Sequence, residues 1–183
     1  PAEARFSDVA HAREVAARYL DENLRNGITT AAVFGTVHAT SVDALFEESA
    51  RRDMRMIGGK VLMDRNAPPG LLDTATSGYD ESKALIGRWH GRDRLAYAIT
   101  PRFAATSTPA QLEAAGALWR ETPGAYLHSH VAENVAEVEW IGALYPSHAR
   151  YLDVYAQFGL LGRRALYAHG IHLDDADFQL LHE

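Results

Sequence analysis

The chain has 183 residues, of which 47% are hydrophobic and 23% are charged, a composition typical of a globular protein with a sizeable core. Its formal net charge of −6, without a long basic block, argues against a nucleic acid as partner. The absence of cysteine excludes disulfides, thiolate nucleophiles and sulfur ligands, so any bound metal must be held by His, Asp or Glu.

The hydropathy pattern gives no sign of a membrane protein or an exported one. No apolar run approaches the roughly 20 residues that cross a bilayer. Residues 1–5 lack the basic region that begins a secretory signal, and no apolar run follows them. The sequence therefore predicts a cytoplasmic protein without a membrane partner.

Helices and strands are predicted to alternate along the chain. Helical spacing of apolar residues and short β-branched runs, bounded by Gly, Pro and capping residues, define the elements. In chain order they are helix 8–26, strand 28–34, helix 41–52, strand 54–64, helix 72–90, strand 95–100, helix 109–121, strand 125–130, helices 134–144 and 151–158, strand 165–169 and helix 174–182. Ser41 and Thr108 are expected to cap the helices that they precede.

The five predicted strands define the fold class as α/β. They are mostly apolar instead of alternating, which is typical of parallel strands buried on both faces. Polar candidates stand at the carboxyl ends of these strands, namely Asp64, Arg102, His130 and His169. A barrel places its site on that face, and so does an open sheet, so this placement favours the barrel without deciding between them. No Gly-x-Gly-x-x-Gly follows the first strand, which argues against dinucleotide binding.

Two of the predicted strands end in a histidine. His130 closes one apolar run and Glu133 follows it, while His169 closes the other and precedes Gly170. A neutral imidazole at a strand end can ligate a divalent cation, and a nearby carboxylate can transfer protons. A strand-end histidine taken alone is more often a hydrogen-bonded structural residue, by roughly three to one. For His130, the glutamate three residues later favours the metal-ligand role over the structural one.

Several short segments resemble a known family. They are Met-Asp-x-Asn at 63–66, Thr-Pro-Arg-Phe at 100–103, His-Ser-His-Val-Ala-Glu-Asn at 128–134 and Ala-His-Gly at 168–170. Together they resemble the guanine deaminase group of the amidohydrolase superfamily, and the resemblance runs essentially end to end. The histidine-x-x-glutamate and Ala-His-Gly elements indicate only the superfamily. The Thr-Pro-Arg-Phe and Met-Asp-x-Asn segments narrow the resemblance to the guanine deaminase group. The resemblance implies a (β/α)8 TIM barrel of the metal-dependent amidohydrolase type.

Two elements of the superfamily pattern are missing from this sequence. Members carry an early His-x-His on the first strand and an aspartate on the eighth strand that binds the metal. A complete barrel typically has about 250 residues. We therefore expect residues 1–183 to be the central portion of a single metal-dependent hydrolase barrel domain, present as a partial barrel of about strands 2 to 6.

The resemblance also implies an activity and residue roles. Full-length members hydrolyse guanine to xanthine and ammonia in purine catabolism, using one Zn²⁺ per chain. His130 would bind the metal, Glu133 would be the proton shuttle, and His169 would orient the attacking water or ligate the metal. His130 and Glu133 would also contact the substrate, Arg102 would donate hydrogen bonds to the purine, and Phe103 would pack on its face. A homodimer is expected from the family and from the exposed sheet edges of a partial barrel.

Two alternatives stay open. The first is a deaminase or chlorohydrolase that acts on another heterocycle, such as a pterin, an adenosine derivative or a triazine, although Arg102 and Phe103 favour guanine. The second is a catalytically incomplete partial barrel with an assembly role. Because catalytic zinc sites normally need three protein ligands, the isolated chain is predicted to be inactive.

Structural roles are expected for other polar and aromatic residues. His128 would point to the same strand face as the candidate metal ligand but lie deeper in the barrel, filling a polar niche. Asp64 and Asn66 would brace the active-site face or a loop, without a catalytic role. Trp140 lies on a predicted helix and would pack between the helix layer and the barrel.

Overall fold

The computed structural model describes residues 2–182 as alternating strands and helices. The strands are β1 Thr30–Phe34, β2 Arg55–Gly59, β3 Val61–Leu62, β4 Ala96–Pro101, β5 Tyr126–Val131 and β6 Ala165–His169. The helices are α1 Val9–Arg25, α2 Ala39–Arg51, α3 Ala75–Trp89, α4 Pro109–Glu121, α5 Val135–Leu144, α6 Tyr151–Gln157 and α7 Asp175–His182. Short 3₁₀ turns occupy Ala2–Ser7, Pro69–Leu71 and Ala104–Thr106. Within residues 2–182, no helix is long and apolar enough to cross a membrane.

The order of the strands distinguishes a barrel from an open sheet. All pairings are parallel and run β1-β2-β4-β5-β6, with β3 beside the end of β4. A doubly wound sheet reverses its strand order at a switch point, whereas a barrel adds each strand next to the preceding one. The chain is therefore an α/β half-barrel of parallel strands, and the prediction of a partial barrel is confirmed.

The main hydrophobic core lies between this sheet and the helices. β4 is buried along its whole length, as expected for a strand covered on both faces. The core combines fully buried side chains from both layers, including Phe46, Met56, Tyr97, Ile99, Leu112, Leu127 and Tyr155. Helices α2, α3, α4 and α6 thus pack on one face of the sheet and hold the strand ends in place.

The prediction of one continuous strand over 54–64 is wrong, because the strand is interrupted after Gly59. A Cβ at Gly59 would lie 1.8 Å from the carbonyl oxygen of Ala98, so only glycine permits this approach to β4. The next peptide leaves the strand, and the Lys60 N–H donates to the Tyr97 hydroxyl at 3.2 Å. Pairing with β4 then resumes at Val61.

A buried polar network explains why α3 begins later than predicted. The Lys60 ammonium is fully buried and lies 2.6 Å from Asp73 Oδ2. Asp73 Oδ1 accepts from the Gln111 amide at 2.6 Å and from the Met63 N–H at 3.2 Å. Asp73 is therefore part of a loop anchor, and Thr74 caps the helix instead.

The start of α2 also differs from the prediction. His38 occupies the N-cap position, and Ser41 lies inside the first turn. The Ser41 hydroxyl accepts from the Thr36 N–H at 3.2 Å and donates to the His38 carbonyl at 2.8 Å. The remaining predicted helix and strand ends fall within about two residues of the observed ones, the usual uncertainty for element boundaries.

Alanine substitutions at two helical glycines are expected to change the stability in opposite directions. A Cβ at Gly116 in α4 would lie 2.0 Å from the Phe158 carbonyl oxygen, whereas a Cβ at Gly87 in α3 would meet nothing within 4 Å. We expect Gly116→Ala to lower the free energy of unfolding by about 1–3 kcal/mol through overpacking. Gly87→Ala should raise it by about 0.5–1 kcal/mol, because alanine favours helix more than glycine does. Urea unfolding of both variants checks this, and equal values would contradict the close contact of α4.

A partly buried histidine is expected to make the fold less stable in mild acid. His90 Nδ1 accepts the Tyr97 N–H at 3.1 Å. Burial lowers the pKa of His90, and the nearby Arg164 cation lowers this pKa further. Because the folded pKa lies below the ordinary value of 6.5, the unfolded chain binds more protons in this window. The stabilisation is thus present above about pH 6.5 and lost as pH falls through the folded pKa.

The measurement compares urea unfolding at about pH 7.5 and about pH 5.5 in wild type and His90→Asn. Asparagine keeps an acceptor near the Tyr97 amide but does not titrate in this range. We expect a smaller fall in unfolding free energy in the variant. The same fall in both proteins would show that His90 does not contribute.

Candidate active site

Three predicted site residues meet at the carboxyl ends of β5 and β6. Parallel pairing sets Val131 opposite His169, so the two histidine-bearing strand ends are neighbours. The imidazole centroids of His130 and His169 lie 5.4 Å apart, with 26° between their planes. His169 Nε2 lies 3.6 Å from Glu133 Oε2. Two imidazoles and one carboxylate therefore form a compact cluster.

The hydrogen bonds of His130 determine which ring nitrogen is free. Its Nδ1 lies 2.8 Å from the Arg102 carbonyl oxygen, and its backbone N–H donates to the same oxygen at 2.9 Å. A carbonyl only accepts, so Nδ1 carries the proton and Nε2 keeps its lone pair. Burial lowers the pKa of His130, which favours the neutral ring. This is the form of histidine that binds a metal ion.

The donor type suits zinc, but the number of donors is incomplete. His130 and His169 are nitrogen ligands of the kind that zinc takes. Within the described residues, 2–182, no group of three or more His, Cys, Asp or Glu side chains is placed to hold a metal ion. A catalytic zinc site normally has three protein ligands. The two histidines alone therefore fall short of a catalytic zinc site.

The backbone at the cluster is held in an uncommon conformation. Ala132 and His169 have φ values of 49° and 75°, in the left-handed region that non-glycine residues rarely adopt. The Gly170 N–H donates to the Val131 carbonyl at 2.8 Å, and the His172 N–H donates to the Ala132 carbonyl at 3.1 Å. Such strained positions persist where surrounding bonds fix them, and they cluster at functional sites.

The cap of α5 holds the backbone of Glu133. Asn134 Oδ1 accepts the Glu137 N–H at 3.0 Å, and Glu137 Oε2 accepts the Glu133 N–H at 3.0 Å. The Asn134 side chain thus satisfies one N–H of the first turn, and the Glu137 carboxylate ties down the backbone just before the helix. The Glu133 backbone is therefore held in place. Its side chain is 49% exposed, so the carboxylate is accessible to a ligand.

Arg102 and Phe103 follow β4 and lie beside the cluster. The Arg102 carbonyl holds His130, while its guanidinium is 42% exposed and lies 3.7 Å from Glu3. The Phe103 ring meets the Trp140 indole edge-on at a centroid distance of 5.9 Å. Arg102, Phe103 and Trp140 line a cavity of about 380 Å³. The expected packing of Trp140 between helices and barrel is wrong, because this indole is 40% exposed at the cavity.

The expected polar niche around His128 is also wrong. Its ring is buried and stacks on Phe34 at a centroid distance of 3.7 Å, and the same phenyl lies 4.1 Å from the His130 ring. Among the described residues, His128 Nδ1 has no hydrogen-bond partner. Burial and then the neighbouring His130 lower the pKa of His128 to about 4. Sequence reasoning missed Phe34, although its place at the carboxyl end of β1 marked it as facing the site.

The bracing role expected for the loop after β3 is confirmed. Asp64 accepts from the Thr108 N–H at 2.6 Å and from the Thr108 hydroxyl at 2.5 Å. The Asn66 amide donates to the Ala105 carbonyl at 2.7 Å. Both contacts hold the turn that follows Arg102 and Phe103. The loop after β3 thus supports the segment that carries Arg102 and Phe103.

Parallel strands in barrel order, with a histidine and glutamate cluster at their carboxyl ends, define the class as a (β/α) barrel with a candidate site on the face where barrel enzymes carry theirs. The Amidohydrolase family model matches residues 5–183, so the chain belongs to the amidohydrolase family.

Individual relatives agree with this assignment. Guanine deaminase of Escherichia coli strain K12 is 54% identical over all of this chain, and its structure superimposes with a TM-score of 0.97. Guanine deaminase of C. acetobutylicum with bound guanine in its active site is 28% identical, with a TM-score of 0.94 over 98% of this chain and 43% of that one. Atrazine chlorohydrolase of Arthrobacter aurescens complexed with zinc is 20% identical, covers 96% of this chain and 40% of its own, and has a TM-score of 0.80. At that identity the last likeness shows the fold alone. The chain spans 42% of the length of the Escherichia coli enzyme.

Proposed function

We propose that the protein to which this chain belongs hydrolyses guanine to xanthine and ammonia. The chain would form the central portion of its single barrel domain. The cluster of His130, Glu133 and His169 carries the proposal, because it places a free imidazole nitrogen and an open carboxylate at one strand edge. The 54% identity to a guanine deaminase supports the choice of substrate.

The proposed cofactor is one zinc ion in the intact protein. His130 would hold it through Nε2, since Nδ1 is occupied by the Arg102 carbonyl. His169 would orient the attacking water or serve as a further ligand. When bound, zinc lowers the pKa of water so that hydroxide is available near neutral pH. The remaining ligands would come from outside these residues.

Glu133 would be the proton shuttle. Its carboxylate faces His169 at 3.6 Å and is accessible to a bound base. It would accept the proton released by the attacking water and deliver it to a ring nitrogen of guanine, making the adjacent carbon more electrophilic. The oxygen of the water would then bond to this carbon. The proton remaining on that oxygen would pass through Glu133 to the exocyclic nitrogen, so that the C–N bond breaks and ammonia leaves. Water and guanine are then converted to xanthine and ammonia, with all protons accounted for.

Arg102 and Phe103 would recognise the purine. The guanidinium is a planar fork of donors that suits the carbonyl and ring-nitrogen acceptors of guanine. The Phe103 ring would pack on the flat face of the base. Its edge-to-face contact with Trp140 would hold the ring in place. The Arg102 guanidinium pairs with the Glu3 carboxylate at 3.7 Å, and a ligand would have to replace this contact. Both side chains are largely exposed, so the ion pair is weak and its loss would cost little.

The cellular setting is proposed to be a cytoplasmic homodimer acting in purine catabolism. Light scattering on the intact gene product would give its mass in solution. A monomeric mass at micromolar concentration would argue against the dimer.

The alternative substrates are other amino- or chloro-substituted heterocycles. This candidate stays open because the histidine-x-x-glutamate and Ala-His-Gly elements indicate only the superfamily and not the substrate. A panel of guanine, pterin, adenosine and triazine substrates, assayed with the intact gene product, separates the two. We expect guanine to give the highest kcat/KM, and preference for another heterocycle would overturn the proposal. Residues 1–183 alone, supplied with zinc, are expected to give no xanthine.

A further inference from the structure

The hydroxyl of Tyr155 lies between the end of β5 and the turn that follows β4. Tyr155 is on α6 and is fully buried. Its hydroxyl donates to the His130 carbonyl at 2.7 Å and accepts the Ala104 N–H at 3.2 Å. The Ser129 hydroxyl lies 2.9 Å away. Burial raises the pKa of Tyr155, so the hydroxyl stays neutral and keeps the proton that it donates.

These bonds hold the backbone of His130 from two sides. On one side, its N–H and ring Nδ1 both bond to the Arg102 carbonyl. On the other side, its carbonyl accepts from Tyr155, which also binds the first residue of the turn Ala104–Thr106. The segment 102–104 and the end of β5 are thus linked directly, because the Arg102 carbonyl bonds to His130 and to the Ser129 hydroxyl at 3.2 Å, and they are linked again through the Tyr155 side chain.

We propose that the Tyr155 hydroxyl is a positioning group that fixes the purine-contacting turn relative to His130. It touches neither substrate nor metal and acts through the backbone of Ala104 and His130. The inference rests on the proposed function, because its effect on rate requires that Arg102, Phe103 and His130 act on one substrate. Small displacements between such groups can lower rates by about 100-fold.

The ring of Tyr155 is fixed independently of its hydroxyl. It lies between the rings of Tyr151 and Tyr167, at centroid distances of 5.5 and 5.7 Å. Phenylalanine would keep this aromatic packing and remove only the hydroxyl oxygen. Tyr155→Phe therefore tests the hydrogen bonds apart from the core.

Tyr97 provides a matched control. It is also fully buried, and its hydroxyl accepts a backbone N–H, that of Lys60, at 3.2 Å. We expect Tyr155→Phe and Tyr97→Phe to lower the melting temperature of the intact gene product by similar amounts. Only Tyr155→Phe should lower kcat/KM for guanine, by about 10–100-fold and chiefly through kcat, as loss of an outer support commonly does. Equal kinetic effects in the two variants would overturn the proposal.

The failure of this inference can be told apart from failure of the proposed function. If wild type makes no xanthine, the proposed function fails, and hydrogen exchange of the Ala104 amide then decides the positioning role. Faster exchange in Tyr155→Phe than in Tyr97→Phe would support it, and equal exchange would overturn it. If Tyr155→Phe does not fold, hydrogen exchange of the Ala104 amide in the wild type replaces it. Exchange only through global unfolding would support the bond to the Tyr155 hydroxyl, and exchange as fast as that of an exposed amide would overturn the proposal.

Discussion

Replacing Glu133 with glutamine in the intact gene product is expected to lower kcat for guanine by about 10²–10⁴-fold, the usual contribution of general acid–base catalysis. Glutamine has the same shape but can neither accept nor deliver the proton. The Glu133 backbone is held by Glu137 and does not depend on the side chain, so the fold should be preserved. Zinc content per chain should stay near the wild-type value, because the carboxylate lies beside His169 and is not assigned as a ligand.

The matched control for this substitution is Glu139→Gln. Glu139 lies on the exposed side of α5, six residues further along the chain, and its substitution changes the net charge equally. Steady-state kinetics by ultraviolet absorbance should give a wild-type kcat for the control. A wild-type kcat for Glu133→Gln as well would contradict the proton-shuttle role.

Replacing His130 with alanine is expected to remove both the metal and the activity. Nε2 of His130 is the nitrogen left free by the Arg102 carbonyl, so no neighbouring atom of this strand replaces it. Zinc activation supplies several kcal/mol of catalysis, and we therefore expect turnover to fall by about 10³-fold or more. Metal analysis of the purified variant should show zinc well below one per chain.

His182→Ala is the control, because His182 is exposed at the end of α7. Its zinc content and turnover should match those of wild type. If His130→Ala retains its zinc but loses turnover, His130 is a substrate residue and not a ligand. If it retains both, the assignment of the site to this strand end is wrong.

Local sequence patterns predicted the helices and strands well, because the signals that define these elements lie within a few neighbouring residues. The apolar runs, the proline at the start of α4 and the Thr108 cap all act at short range. The clustering of His130 and His169 was also predictable, because the carboxyl ends of parallel strands lie at one edge of a sheet. The class of fold therefore followed from the order of the elements.

Other features depend on contacts between residues that are far apart in the sequence. The break after Gly59 exists because Ala98 of β4 lies against it, and no signal within 54–64 contains that neighbour. The late start of α3 reflects the ion pair of Asp73 with Lys60. The role of the Tyr155 hydroxyl depends on partners that lie 25 and 51 residues away in sequence, so no pattern within α6 indicates it.

The aromatic surroundings of the site were missed for a similar reason. Phe34 stacks on His128 across the sheet, and Trp140 reaches Phe103 from a different βα unit. Periodicity assigns such residues to a buried or exposed face but does not name their partner. Their roles emerge only when the strands are placed side by side.

The most direct test is guanine turnover by the intact gene product, followed by ultraviolet absorbance, with metal analysis of the same sample. We expect xanthine to form in a protein that contains about one zinc per chain. A folded, zinc-loaded protein that leaves guanine unchanged would contradict the proposed function, while the half-barrel fold and its family would stand.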